Sequence, residues 1–127
     1  MAIKFKAIEK GQPGVVGGGT KKFYATIVTD GEATIDEIVR DIEKFSSLSE
    51  PDIRGVIVAL ENVIQTKLSD GKIVRLEKLG SFYPSISSKG ENTPREVTSD
   101  TIKAVSINYR PGDRLKKVIN EAGFKKE

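Results

Sequence analysis

The rhythm of apolar and polar positions changes several times along the chain, and each change marks an element. Residues 2–9, Ala-Ile-Lys-Phe-Lys-Ala-Ile-Glu, alternate with period two, and residues 22–28 do so more loosely. Both stretches predict strands. Ile3, Phe5 and Ala7 fall on one face of the first strand, and that face needs a surface to cover it. Between the two strands, Gly11-Gln12-Pro13-Gly14, Val15-Val16 and Gly17-Gly18-Gly19 make a turn-rich loop. The glycines ahead of Thr20 and Lys21 do not form a phosphate loop, which requires Gly-Lys-Ser/Thr opening a helix; here Gly-Thr-Lys opens a strand.

From Thr34 the period becomes helical. Thr34-Ile35-Asp36-Glu37 is a capping box, followed by an apolar stripe of Ile35, Ile38, Val39, Ile42 and Phe45. Ser46-Ser47 ends it. A second helix starts at Ser49, with Pro51 in its first turn and Asp52 at the capping-box position. Its stripe, Ile53, Val56, Ile57, Leu60, Val63, Ile64 and Leu68, runs to Asp70-Gly71. Two amphipathic helices joined by about four residues form a helical hairpin whose stripes must bury something.

Beyond Gly71 the chain predicts a strand at residues 72–76 and another from Leu79 into Tyr83. Residues 87–100 hold Gly90, Asn92 and Pro94 and one large apolar side chain, Val97, so this segment is expected to project or move. Strand character returns over residues 102–109. Arg110-Pro111-Gly112 breaks it, and residues 113–122 form a short helix with Leu115, Val118 and Ile119 on one face, closed by Gly123. The order is hairpin, two helices, three strands with an excursion, and a helix, an α+β chain without internal repeats.

Composition narrows the chemistry. The 127 residues contain no cysteine and no histidine, which excludes a disulfide framework, a cysteine nucleophile, Ser-His hydrolysis and the usual zinc sites. No apolar run reaches the ~20 residues of a membrane span, and the lysines of Met1-Ala2-Ile3-Lys4-Phe5-Lys6 do not suit a signal peptide, so a reduced cytoplasmic location is expected. The net charge of +3 is unevenly spread: residues 1–33 carry five basic and three acidic groups, residues 34–88 seven and nine, residues 89–127 nine and six. A basic carboxy-terminal third permits a polyanionic partner. Carboxylates are scattered over helix surfaces instead of being paired in a cleft, so the chain is not expected to be an enzyme.

The stretch from Thr34 to Ala122 resembles the HU/IHF family of bacterial histone-like DNA-binding proteins. The resemblance rests on the helical hairpin with its Ser49 to Asp52 cap, on Asp70-Gly71-Lys72-Ile73-Val74-Arg75-Leu76, on Leu79-Gly80-Ser81-Phe82, and on Tyr109-Arg110-Pro111-Gly112 with Leu115 and Lys116 following. Order and spacing together make it specific. It implies an IHF-like fold: a helical hairpin, an antiparallel sheet with a protruding β-arm, a short last helix and an intertwined homodimer. The sheets would form a saddle whose arms enter the DNA minor groove and bend the duplex. Residues 1–31 lie outside the pattern and look like the extra strand pair of a divergent HU-like branch, expected to extend the sheet. The division is a hairpin extension at 1–31 and an HU-like domain at 32–127.

The same resemblance implies the site. Lys89-Gly90-Glu91-Asn92-Thr93-Pro94 stands at the arm tip, with Pro94 as the intercalating wedge. Lys89, Arg95, Lys103, Arg110, Arg114, Lys116 and Lys117 are the expected phosphate track. Ile42, Phe45, Val56, Leu60, Val63 and Phe82 are the expected dimer contacts. Glu91, Glu96, Asp100 and Asp113 stand among these basic groups, and each carboxylate near a phosphate weakens the attraction. The expected function is a nucleoid-associated architectural protein that binds double-stranded DNA with little sequence preference, without metal, cofactor or small-molecule substrate. The alternative is an HU-fold interaction or assembly module with weak or no DNA binding; a mobility shift across a salt series separates the two.

Overall fold

Thr34 begins the first helix as its capping box demands. In the computed structural model, which describes residues 2–127, its hydroxyl accepts a hydrogen bond from the Glu37 amide at 3.3 Å. Such a cap contributes about 1 kcal/mol. Helix α1 (Ile35–Phe45) leads through four residues into α2 (Glu50–Ser69). At the head of α2 the Ser49 hydroxyl bonds the Asp52 carboxylate at 2.9 Å and caps no amide. Arg54 on α2 clasps Asp36 on α1 and, one turn back on its own helix, Glu50 at 3.0 Å. These bonds hold its guanidinium above its ordinary pKa.

Among the described residues nine main elements run in the order β1 (Ile3–Lys10), β2 (Lys22–Ile27), α1, α2, β3 (Val74–Arg75), β4 (Gly80–Ser88), β5 (Ile102–Pro111), α3 (Asp113–Glu121) and β6 (Phe124–Lys126). The architecture is mixed α+β with three α-helices and two small three-stranded sheets. One sheet runs β3-β4-β5 and is antiparallel throughout; the other runs β2-β1-β6, with β1 antiparallel to β2 and parallel to β6.

The second sheet corrects one expectation. The amino-terminal hairpin does not extend the β3-β4-β5 sheet. After Gly123 the chain turns so that the Gly123 carbonyl accepts from the Ile3 amide at 2.9 Å and the Phe5 carbonyl accepts from the Glu127 amide at 2.9 Å. The free edge of β1 is thereby satisfied by β6, and Phe124 meets Phe5 edge-on with ring centres 6.4 Å apart. The glycine loop between β1 and β2 closes on itself, with the Gln12 amide donating to the Gly18 carbonyl, and opens no helix.

Two further boundaries shift. The strand expected at 72–76 is reduced to Val74–Arg75, because the chain turns through a single 3₁₀ turn at Glu77–Leu79 before β4. The segment after β4 does not remain open either. It folds into 3₁₀ turns at Pro94–Glu96 and Ser99–Thr101, and its base is closed by the Lys89 amide donating to the Thr101 carbonyl at 3.0 Å. Thr101 is 5% exposed, and its hydroxyl donates to the Thr98 carbonyl at 2.7 Å. Hydroxyl-to-backbone bonds order this polar tip in place of apolar burial.

The core of the single chain is small. Val39 and Ile53, facing one another's helices, are its buried apolar residues among those described. Phe45 at 91%, Val56 at 58% and Val63 at 53% exposure stand open along the helix stripes. Much of the stripes expected to be core is therefore open within one chain.

Candidate nucleic-acid interface

Strand pairing between β4 and β5 sorts the hairpin into two chemically different faces. Phe82 lies opposite Tyr109, Pro84 opposite Ile107 and Ile86 opposite Val105, so one face is apolar. Phe82 and Tyr109 lie 5.2 Å apart between ring centres, and the Tyr109 hydroxyl donates to the Leu79 carbonyl at 2.6 Å. The other face alternates with it: Ser81 opposite Arg110, Tyr83 opposite Asn108, Ser85 opposite Ser106, Ser87 opposite Ala104. The Asn108 amide donates to the Ser85 hydroxyl at 2.6 Å, which meets the Ser106 hydroxyl at 3.1 Å.

At the base of the polar face stand two arginines. Ser81 pairs with Arg75 of β3 on one side and Arg110 of β5 on the other. Arg110 lies over the Tyr83 ring at 5.6 Å, which fixes its approach while leaving its donors free. The two arginines, Ile73, Ser81 and Tyr83 line a recess of about 110 Å³. The sequence reading included Arg110 and missed Arg75, whose adjacency follows from cross-strand register and not from spacing along the chain.

Two glycines hold this base to α3. Gly80 has φ +120°, and a Cβ there would collide with the Arg110 carbonyl; a Cβ on Gly112 would collide with the Lys78 carbonyl. The turn before β4 and the end of β5 thus pass backbone against backbone, and α3 starts from that junction. Arg114 lies beside Lys78 and Leu79, while Lys116 borders a separate recess with Tyr109 and Pro111. Lys117 lies on the same exposed helix.

The remaining expected contacts cluster at the outer end of the hairpin. Lys103 is the extra residue of a β-bulge, since Ser87 pairs with Ala104 and Ser88 with Ile102. Bulges re-aim side chains and bend the strand that carries them. Pro94 and Arg95 occupy the first 3₁₀ turn of the tip and are exposed. Lys89 is 3.8 Å from Glu91, so one tip cation is already partly neutralised by the acidic group that stands beside it. The structure therefore groups the expected basic residues into a base (Arg110, Arg114), the exposed helix α3 beside it (Lys116, Lys117), a bulge (Lys103) and a tip (Lys89, Arg95).

The expected dimer contacts are likewise separated by burial. Ile42 and Phe82 are half-buried, while Leu60 joins Phe45, Val56 and Val63 in the open at 41% exposure. On α3, Val118 and Ile119 are each 57% exposed. Among the described residues no cluster of carboxylates could hold a metal ion, and no helix is long and apolar enough to cross a membrane.

Comparison with known proteins follows the same lines. A family model described as "HU domain fused to wHTH, Ig, or Glycine-rich motif" matches residues 1–126. Among solved structures, a crystal structure from Bacteroides vulgatus ATCC 8482, described as a "Putative bacterial DNA binding protein", superposes with a TM-score of 0.67 at 14% identity. The match covers 97% of this chain and 47% of that one, so this chain spans about half the length of that protein. No curated protein matches the sequence.

Proposed function

The chain belongs to this family of HU domains, and from that premise we propose that it is a dimeric, histone-like architectural protein that binds double-stranded DNA. The observation that carries the reading is the two-faced β4–β5 hairpin. Its polar face presents hydroxyl and amide groups with Arg75 and Arg110 at the base, which are donors to phosphates without a base-reading helix. Binding is therefore tolerant of sequence. The bulged outer hairpin with Pro94 and Arg95 at its tip is the arm that enters the minor groove and bends the duplex.

The dimer is supported by area. A folded monomer of this mass exposes about 6,700 Å². The single chain exposes 10,696 Å². The surplus of roughly 4,000 Å² includes the open stripes of α1, α2 and α3 and the apolar faces of both sheets, and a second copy in an intertwined IHF-like arrangement covers the helix stripes and the apolar face of β4–β5. The division proposed is functional, with residues 1–31 as a hairpin extension and residues 32–127 as the HU-like unit, whose last strand β6 completes the amino-terminal sheet. A nucleoid-associated location in the cytoplasm accords with this role.

The Lys89–Glu91 pair favours a second reading, an interaction module of HU fold whose arm has lost its grip on DNA. A mobility shift with a random-sequence duplex across a salt series tests the first. Binding at low salt that falls steeply as salt rises is the expected result; no binding at low salt, by a protein that sediments as a folded dimer, overturns it in favour of the second.

A further inference from the structure

The β2-β1-β6 sheet also has two faces, and the second of them is cationic. Register places Ile3, Phe5, Ala7, Phe23, Ala25, Ile27 and Phe124 on one side. Lys4, Lys6, Lys10, Lys22 and Lys125 alternate onto the other. No acidic residue of the three strands shares that side, since Glu9 lies opposite Phe23 on the apolar one. Among the described residues Lys4 has a carboxylate partner, Asp30 at 3.9 Å, and Lys10 lies 5.1 Å above the Tyr24 ring.

Pairing makes the arrangement costly by itself. Lys10 stands directly opposite Lys22, and Lys4 directly beside Lys125. Like charges facing one another across strands destabilise a sheet. Two such pairs on one small sheet break a local rule, offset in part by Asp30 beside Lys4 and the Tyr24 ring beneath Lys10, and such breaks mark functional surfaces. Between the lysines, Ile8, Tyr24, Thr26 and Val28 are half-buried, so no apolar side chain stands clear of the face to enter a lipid layer. From Lys4 to Lys10 the strand advances about 20 Å. Measured along a duplex axis, that length corresponds to about six base pairs.

We infer that this lysine face is a second phosphate-binding surface for duplex DNA, separate from the β4–β5 hairpin. It rests on the DNA-binding reading above, and it lengthens the duplex path that one protomer engages. Its neutral centre is half-buried, so the contact is made by the lysines to backbone charge and is insensitive to sequence.

The test compares three full-length proteins on one 40-base-pair duplex over a salt series: wild type, a Lys6→Gln/Lys22→Gln/Lys125→Gln triple, and the matching Lys→Arg triple. The glutamine triple should flatten the log–log salt slope by about 2.7 per engaged protomer and weaken binding about tenfold at low salt. The arginine triple should keep the wild-type slope. The thermal midpoint of the glutamine triple should stay level or rise, because both like-charge pairs are relieved. A wild-type slope in the glutamine triple overturns the inference, and an Arg75→Ala/Arg110→Ala control that still flattens the slope leaves the hairpin reading standing. Failure of wild type to bind at low salt overturns both. Loss of binding to phosphatidylserine vesicles with the duplex slope unchanged assigns the face to membranes and overturns the inference.

Discussion

The two three-stranded sheets are built on the same plan, one apolar face and one polar face, yet they carry charge in opposite ways. At the base of β3-β4-β5 the cations are arginines separated by a serine, one of them over a tyrosine ring, and the paired face beyond them is mainly neutral hydroxyl and amide, with Lys103 set apart at the bulge. In β2-β1-β6 the cations are lysines, set side by side across strands. Arginine's planar fork holds a defined geometry, whereas lysine is a mobile point charge. The first sheet is thus fitted for positioned contacts and the second for diffuse attraction. Their apolar faces differ less: both lie open in the single chain, and both call for cover.

The largest effect expected is on that cover. Leu60 is 41% exposed in one chain. Were the chain a working monomer, Leu60→Asp would cost about 1 kcal/mol, from helix propensity and the covered part of the side chain. Buried against a second copy, the carboxylate is unpaired in an apolar core and costs several kcal/mol. Val56→Asp is expected to behave alike. Equilibrium sedimentation combined with circular dichroism should show dissociation with loss of helix; a stable folded species near 14 kDa for the wild type would remove the dimer altogether.

Next comes the junction that ties the arginine-bearing sheet to α3, which has no counterpart in the lysine-bearing sheet. Gly112→Ala forces a methyl against the Lys78 carbonyl, and overpacking of this kind costs about 1–3 kcal/mol. Gly90→Ala meets nothing within 4 Å and serves as the contrast, expected within about 0.5 kcal/mol. Urea melts of the two variants read the difference. If they match, the backbone crossing at Lys78 relaxes freely, and α3 is not rigidly placed relative to Arg110.

What was legible in the sequence divides along the same line. Thr34, Glu37 and the stripes of α1 and α2 are local signals, written within a few residues of where they act. The Tyr109-Arg110-Pro111-Gly112 run was legible as a motif, and the crossing at Gly112 gives its physical reason. Strand β6 was not, because three residues carry no periodicity and its partner lies at the other end of the chain. Arg75 was missed for the same kind of reason, since only register brings it beside Ser81. The ordering of residues 89–101 was missed because hydroxyl-to-backbone bonds leave no apolar pattern to read.

Arg75 and Arg110 supply the next sharpening. Each replaced by alanine should weaken every duplex alike and reduce the salt slope by about 0.9. Fluorescence anisotropy at several salt concentrations measures both. A sequence-dependent loss at either position would mean that the sheet base reads bases, and the contrast between fitted and diffuse contacts would then be sharper than proposed.

The smallest effect expected is at the hairpin tip, where the two ways of carrying charge meet in one turn. Lys89 is held 3.8 Å from Glu91, whose side chain is 21% exposed, so the carboxylate both occupies the lysine and repels phosphate. Glu91→Arg removes that carboxylate and adds a donor, a change of two charges at a partly exposed site. Surface pairs are worth about 0.2–1 kcal/mol, so affinity at low salt should rise by about 1.4- to fivefold. The salt slope should steepen by about one as the freed cation meets a phosphate. Pro94→Ala on the same tip should reduce the bend angle more than the affinity, because a wedge acts on base stacking and not on charge. Paired measurements of affinity and bend on one duplex separate these outcomes. If Glu91→Arg leaves affinity and slope where they were while the Arg75 and Arg110 variants lose binding, the tip does not reach the duplex, and the contacts of this hairpin are confined to its base.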